Sequence, residues 1–319
     1  MTLRDKVIFI LESNKGSFVS GQDIASVAGV SRSAVAKCIA TLKGEGYRIR
    51  SVNNSGHCLE AESDILSVGG ITANLGGDIA EVAVFDSIDS TNSEAKRLVA
   101  NGLERDALIA ANGQTAGRGR RGRSFYSPAD DGLYFSCVLH PTVSLSESTA
   151  ITSACAVAVC EIIGEEIKKD PMIKWVNDIF IDNLKVCGIL TEAISDFESG
   201  RVQAVIVGIG INLTTSVFPD ELNGIAASLG ARVDRCRLAA KIFKRLSELC
   251  YALPDKSFMD EYRRRSLALG RTVYFNRNGI DHHAVAKTVR DDGALEVALE
   301  NGEIMLLNSG EISIKLDRA

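Results

Sequence analysis

The apolar residues of this chain change their spacing twice, and those two changes restrict the fold more than any other property of the sequence. As far as residue 62 they recur at helical intervals. Leu3, Val7, Ile10 and Leu11 share one face, Ile24, Val27 and Ala28 a second, and Val35, Ile39 and Leu42 a third. From 63 to 265 short apolar runs alternate with longer helical stretches, and beyond 266 only short alternating runs remain. A chain of 319 residues exceeds the roughly 100 to 200 of one ordinary domain, so the three regimes read as three units, 1–62, 63–265 and 266–319.

In the first unit, Ala28-Gly29-Val30-Ser31 supplies a glycine for a tight turn and a serine N-cap for the third helix, the pattern of a helix-turn-helix over 21–40. Asn53-Asn54-Ser55-Gly56 separates 47–52 from 57–59 and predicts a β-hairpin, a wing. The third helix carries Arg32, Lys37 and Lys43 with no acid between Ser31 and Lys43, and Ser31, Ser33 and Ala34 leave room for close approach to base edges and phosphates. Ser31, Arg32, Ser33 and Lys37 are therefore the candidate DNA contacts; an ordinary solvated face is the competing reading.

The net charge of −5 disfavours indiscriminate coating of nucleic acid or anionic membrane. It divides unevenly: residues 1–62 hold eight basic and six acidic side chains, whereas the remaining 257 hold 28 and 35. A winged helix of only +2 on an acidic body needs a partner subunit to hold DNA tightly. The apolar runs 7–11, 154–160 and 204–211 fall far short of the roughly 20 residues of a membrane helix, and 7–11 lacks the length and cleavage site of a signal peptide. No membrane partner and a cytoplasmic location are expected. Eight Cys scatter without a CxxC pair, mostly in apolar surroundings, which predicts buried thiols in a reducing compartment. No Cys or His pair has zinc-ligand spacing, and the adjacent His282 and His283 would point to opposite faces of a strand, so no protein metal site is expected.

In the second unit strands are expected at 81–85, 107–111, 132–139, 173–175, 179–181, 186–191 and 202–211, with helices at 93–100, 146–167, 234–252 and 257–267. Hairpins mixed with helices, and no GxGxxG opening a helix, indicate α+β layers rather than a doubly wound parallel sheet. In the third, five runs at 272–275, 284–289, 294–298, 304–307 and 312–315, separated by Gly-containing turns, predict a small SH3-like barrel.

Four stretches carry chemistry. Gly113 to Arg123 holds four glycines and four arginines, which cannot pack as core and should stay mobile until an anion binds: glycines let backbone N–H groups approach phosphate, and guanidinium donates in pairs to phosphate or carboxylate. Alone it could be an RNA-binding patch; its position between two apolar strands favours an internal ligand loop. Lys174-Trp175-Val176-Asn177-Asp178 and Lys185-Val186-Cys187-Gly188-Ile189-Leu190 place lysines at the edge of a backbone-floored pocket, with strand-terminal lysines in solvent as the alternative. Gly208-Ile209-Gly210-Ile211-Asn212 leaves one face of a strand as bare backbone against which something flat can lie.

With Ser90-Thr91-Asn92 and Gly310-Glu311-Ile312-Ser313, these stretches resemble, over nearly the whole chain, the biotin protein ligases that double as biotin operon repressors. The resemblance implies a winged helix-turn-helix, a central class II synthetase-like mixed sheet with helices, and an SH3-like C-terminal barrel. It implies that biotin and ATP give biotinyl-5'-AMP, that a lysine of biotin carboxyl carrier protein then takes the biotinyl group, and that Mg2+ accompanies ATP. It implies too that the adenylate drives a homodimer that binds operator DNA. Bringing a carboxylate to the α-phosphate sets like charges together, worth roughly 4 kcal/mol at about 4 Å and an effective dielectric near 20, so cations must offset it.

By the same resemblance Arg120 and Lys185 are catalytic, and Asp178 orients the incoming lysine or is simply a structural acceptor. Biotin is bound by Ser90, Thr91, Asn92, Gln114, Arg118, Gly119, Arg120, Lys185 and Gly188. The adenylate is held by Arg118, Arg120, Arg121, Phe125, Asn177, Lys185 and Asn212. Val176 stands where the family usually has Pro, and Phe125 where it commonly has Trp; neither change removes a charge. Two rival readings are a ligand-sensing repressor without catalysis and a lipoate-type ligase.

Overall fold

The computed structural model describes residues 1–76, 80–142, 148–195, 202–253, 255–308 and 310–314. The first helix α1 (Leu3–Ser13) is started by a capping box between Thr2 and Asp5, and α2 (Gly21–Ala28) and α3 (Arg32–Gly44) by Ser20 and Ser31. Gly29 closes α2 in the left-handed region, at φ 72°. The wing is β1 (Ile49–Val52) paired antiparallel with β2 (Gly56–Leu59). Val7, Ile8, Ile24, Val35 and Leu42 are fully buried between these elements. Val27, expected on the buried face of α2, is instead 71% exposed. The buried arc is set by Ile24, Ala25 and Ala28, and Val27 lies roughly 100° round the helix from its centre.

A helix that the sequence did not announce, α4 (Val68–Leu75), links this unit to the rest by packing against both α1 and α7 (Arg235–Tyr251). Two ionic contacts reinforce the junction. Lys15 Nζ meets Asp234, the N-cap of α7, at 2.6 Å, and the buried Arg235 donates through Nε to Asp64 Oδ2 (3.1 Å), through Nη2 to the Asp64 carbonyl (3.1 Å) and through Nη1 to Asn112 Oδ1 (3.1 Å).

Among the described residues the central sheet has seven strands: β3 (Glu81–Ile88), β4 (Ala107–Gln114), β5 (Gly132–Leu139), β6 (Met172–Lys174), β7 (Asp178–Ile181), β8 (Leu184–Ser195) and β9 (Val202–Asn212). Their order is β3-β4-β5-β9-β8-β7-β6, and β3–β4 is the parallel pair in an otherwise antiparallel sheet. Alternation of side chains separates the faces. Ile109, Val138, Ala204 and Ile206 pack under α5 (Thr91–Ala100), whereas Leu108, Phe135, Cys137, Val205 and Val207 pack with α6 (Ser148–Ile167) and α7. The first two residues of the helix expected at 146–167 lie outside the described residues, and the helix expected at 257–267 is the short α8 (Phe258–Arg264).

The last strands, β10 (Thr272–Arg277), β11 (Ile280–Val289), β12 (Leu295–Ala298), β13 (Ile304–Leu307) and β14 (Ser313–Ile314), form one antiparallel sheet with β10 between β11 and β14, the order of an SH3-like barrel. The end of the run expected at 312–315 lies outside the described residues. Its apolar face joins the main core, and Trp175 Nε1 donates to the Gly293 carbonyl at 2.9 Å. His282 and His283 do fall on one strand and diverge: the first stacks on Phe275 and the second reaches Glu300. All eight cysteines are free thiols, and seven are buried. Among the described residues no helix is long and apolar enough to cross a membrane.

Candidate active site

On the face of the sheet that carries α5, residues 206, 208, 210 and 212 of β9 and 188, 190 and 192 of β8 point the same way. Past the end of α5 this face opens into a cavity of about 490 Å³, a volume suited to a small organic ligand. Ser90, Thr91, Asn92, Gln114, Arg118, Gly119, Arg120, Phe125, Asn177, Asp178, Lys185, Gly188 and Asn212 all line it. Arg121, expected with them, does not; it takes φ 54° in a single 3-10 turn, and Arg123 lines the cavity in its place.

Four features build the wall nearest α5. Ser90 caps the helix, so α5 begins two residues before the expected position, and Thr91 and Asn92 sit buried in its first turn. Gln114, expected in the loop, is the last residue of β4, paired with Ile88. Its Oε1 accepts from Thr91 N (2.9 Å), and its Nε2 donates to Ser127 Oγ (2.9 Å). Ser136 Oγ donates to Asn92 Oδ1 (2.6 Å) and lies 2.7 Å from Thr91 Oγ1. A buried network of neutral donors and acceptors results, with its amides fixed in orientation.

The cationic groups belong to other elements. Arg120 Nη1 donates to Asn177 Oδ1 (3.1 Å) and to the Gly310 carbonyl (3.3 Å), so the loop, the β6–β7 turn and the C-terminal sheet meet at one guanidinium. Burial pulls its pKa below the ordinary value, opposed by the charge of Asp178. Lys185 Nζ pairs with Asp178 Oδ1 at 2.7 Å. Lys174 is pulled below its usual range by burial, with Asp178 opposing and Lys185 adding to the shift. Arg118 Nη2 meets Glu192 Oε1 at 3.2 Å, and Arg123 meets Glu311 at 2.7 Å. Five cations (Arg118, Arg120, Arg123, Lys174 and Lys185) and three carboxylates (Asp178, Glu221 and Glu311) line the cavity, which leaves a net positive field able to hold a carboxylate beside phosphates.

The bare strand face is occupied differently from the expectation. The flat group that lies over Gly188 and Gly210 is the chain's own Phe125 ring, and a Cβ at Gly210 would collide with it. Gly208 is covered by the Asn92 amide, with which a Cβ there would collide as well. Phe125 also meets Tyr134 edge to face, with ring centroids 6.4 Å apart.

Sequence reasoning assigned no role to Ser127, Ser136, Arg123, Glu192 or the Gly310–Ser313 backbone. The available signals were weak: Ser136 is the one small hydroxyl residue in the apolar run 133–139, and Glu192 the one acid in β8. At the helix-turn-helix, Ser31 caps α3 through Ala34 N, and Arg32, Ser33 and Lys37 are exposed on one element as expected. Arg50, on the wing, is a further exposed cation, lying 5.1 Å above the Phe18 ring.

Fold and cavity together define a ligase-type catalytic core joined to a helix-turn-helix. The biotin/lipoate A/B protein ligase family model matches residues 84–212, and an HTH domain model matches residues 4–57. The chain belongs to the biotin/lipoate A/B protein ligase family. It is 33% identical to the bifunctional ligase/repressor BirA of Bacillus subtilis (strain 168) over 93% of this chain and 97% of that protein. With the protein of the same name from Escherichia coli (strain K12) it shares 26% identity over 97% and 96% of the two chains. Among solved structures, the biotin protein ligase from Aquifex aeolicus in complex with biotin and ATP superposes with a TM-score of 0.62 at 29% identity, covering 74% of this chain and 98% of that one.

Proposed function

We propose that the protein joins biotin to a lysine of a biotin carboxyl carrier protein through biotinyl-5'-AMP, and that the adenylate-loaded form represses biotin genes. The observation that carries the reading is a single cavity in which a buried neutral network and a cluster of cations share one wall system. Ser90, Thr91, Asn92 and Gln114 suit an uncharged ureido ring, which needs fixed donors and acceptors rather than charge, and Ser136 fixes two of them from behind. Arg118, Arg120 and Lys185 suit the carboxylate and α-phosphate.

In the first step a biotin carboxylate oxygen attacks the α-phosphorus of ATP and pyrophosphate leaves. In the second the carrier lysine, as its free amine, attacks the acyl carbon; AMP leaves and the amine proton is lost. Lys185 and Arg120 offset the charge that builds on the phosphate, and Asp178, 2.7 Å from Lys185, holds that ammonium in place and orients the incoming amine. A magnesium ion brought with ATP would be held chiefly by phosphate oxygens. Among the described residues no three His, Cys, Asp or Glu side chains gather to hold an ion by themselves.

For repression, the reading is that a second copy pairs along β8. Past Ile189, whose N–H and carbonyl are still taken by Asn177, this strand pairs only with β9 among the described residues, which leaves a sheet edge for an antiparallel partner. The test is biotin-dependent exchange of labelled pyrophosphate into ATP, followed by transfer to an apo carrier domain. Exchange with biotin is expected; exchange with lipoate alone would favour the lipoate-type reading, and none with either would leave a repressor without catalysis. A gel-shift and sedimentation series with biotin plus ATP tests repression and dimerisation: both should appear only when the two ligands are present.

A further inference from the structure

Glu192 lies just outside the cavity, on the same face of β8 as Gly188 and Leu190. Its carboxylate is shared among three groups. Oε2 accepts from Asn92 Nδ2 at 3.0 Å, and Oε1 meets Lys96 Nζ at 2.7 Å and Arg118 Nη2 at 3.2 Å. Lys96 stands one turn along α5 from Asn92, so one acid ties the start of that helix to the arginine loop.

We propose that Glu192 is a positioning residue for biotin: it sets the orientation of the Asn92 amide and tethers Arg118, so that both walls of the biotin site are ordered before the ligand arrives. The proposal rests on the assignment of Asn92 and Arg118 to that site. With Nδ2 donated to Glu192, Asn92 must present Oδ1 to Ser136 Oγ, which in turn lies 2.7 Å from Thr91 Oγ1. Without the acid, Asn92 Nδ2 keeps only the Leu190 carbonyl, at 3.4 Å, so the amide that faces Ser136 is held less firmly.

The tether acts on the other side. A glycine-rich loop loses much conformational freedom when it closes on a ligand, and a loop already held at Arg118 loses less. Asn92 and Arg118 touch the cavity and Glu192 does not, so its effect must pass through them. Lys96 keeps the carboxylate ionised: burial raises its pKa, but hydrogen bonds from Lys96 and Asn92 and the charges of Lys96 and Arg118 bring it below the ordinary range.

The test uses the full chain with Glu192→Gln, which keeps the shape and an acceptor for Asn92 while removing the charge, alongside Arg118→Ala and the double variant. Read by biotin-dependent pyrophosphate exchange, Glu192→Gln should raise the KM for biotin about tenfold and leave kcat within about twofold, because the lost order concerns binding and not the reacting atoms. Arg118→Ala should raise the same KM, and Glu192→Gln should add little in that background. A lowered melting temperature with an unchanged KM would make Glu192 a structural acid and overturn the proposal, as would full additivity of the two changes. If Arg118→Ala alone left the biotin KM untouched, the assignment of Arg118 to the site would fail, whatever Glu192 does.

Discussion

Two single residues test the cavity directly. Lys185 faces the cavity with its ammonium held by Asp178, and Lys185→Ala should lose on the order of 3 kcal/mol of barrier stabilisation, roughly a hundredfold in exchange rate, the worth of one preorganised electrostatic donor. Gly210 tests the floor. A methyl group there must displace Phe125, so Gly210→Ala should destabilise by about 1 to 3 kcal/mol in denaturant titrations, with much of that loss absent in a Phe125→Ala background. At this scale the charged half of the site was legible in the sequence, because arginines interleaved with glycines have few structural uses. The neutral half was legible only in part. Thr91, Asn92 and Gln114 followed from resemblance, but Ser136 acquires its role through the packing of α5 on β5, which brings together residues 44 and 45 apart in the chain. No local pattern encodes that meeting.

Elements with a strong apolar period matched the expectation closely, and those without one did not. The helix-turn-helix, its wing and the C-terminal strands were all marked by punctuation in the sequence: Ser31, Gly29, the Asn-Asn-Ser-Gly turn, and glycines at the later hairpins. The helix α4 escaped because Val-Gly-Gly-Ile-Thr-Ala-Asn-Leu has poor intrinsic helicity; its neighbours α1 and α7 supply the stabilisation. Likewise β4 runs on through Gly113 and Gln114 because parallel pairing with Ser87 and Ile88 overrides their weak strand preference. For the DNA-binding unit, the wing gives a test at the same scale. Arg50 is exposed and braced on Phe18, so Arg50→Ala should weaken operator binding and lower the salt slope of affinity by about one, as measured by gel shift over a range of salt.

Across the whole molecule, the three units are coupled by buried polar contacts. The C-terminal sheet is fastened at α8, where Arg263 donates through Nε to the Val289 carbonyl at 2.7 Å and pairs with Asp291, while at the end of the same helix Arg265 reaches Asp170 and the Pro171 carbonyl and Glu261 holds Arg264 and Arg265. Hydrogen bonding from Arg264 leads the effects that bring the Glu261 carboxyl down to about 2, with burial opposing and Arg265 assisting. A depressed carboxyl lends stability that is complete above its ordinary pKa and vanishes as pH falls through the folded value. The melting temperature of Glu261→Gln should therefore lie below that of the parent chain at pH 7, and the gap should close as pH falls from about 4.5 towards 2. The emission of Trp175, the one tryptophan in the chain, reports the same junction, because its indole N–H is bonded to Gly293.

The contacts made by Lys15 and Arg235 carry a geometric consequence. They brace the winged helix against α7 and against the end of β4, so the connection between the DNA-binding unit and the sheet acts as a strut rather than a hinge. If two copies join along β8 as proposed, the separation of their recognition helices is a length written into the sheet register. Slipping that register by two residues would slide one copy past the other by roughly 7 Å, about the rise of two base pairs. The molecule is in that sense a ruler, graduated in strand residues and read out in base pairs. In such a dimer the distance between operator half-sites would be set where sheet meets sheet, far from any side chain that touches DNA.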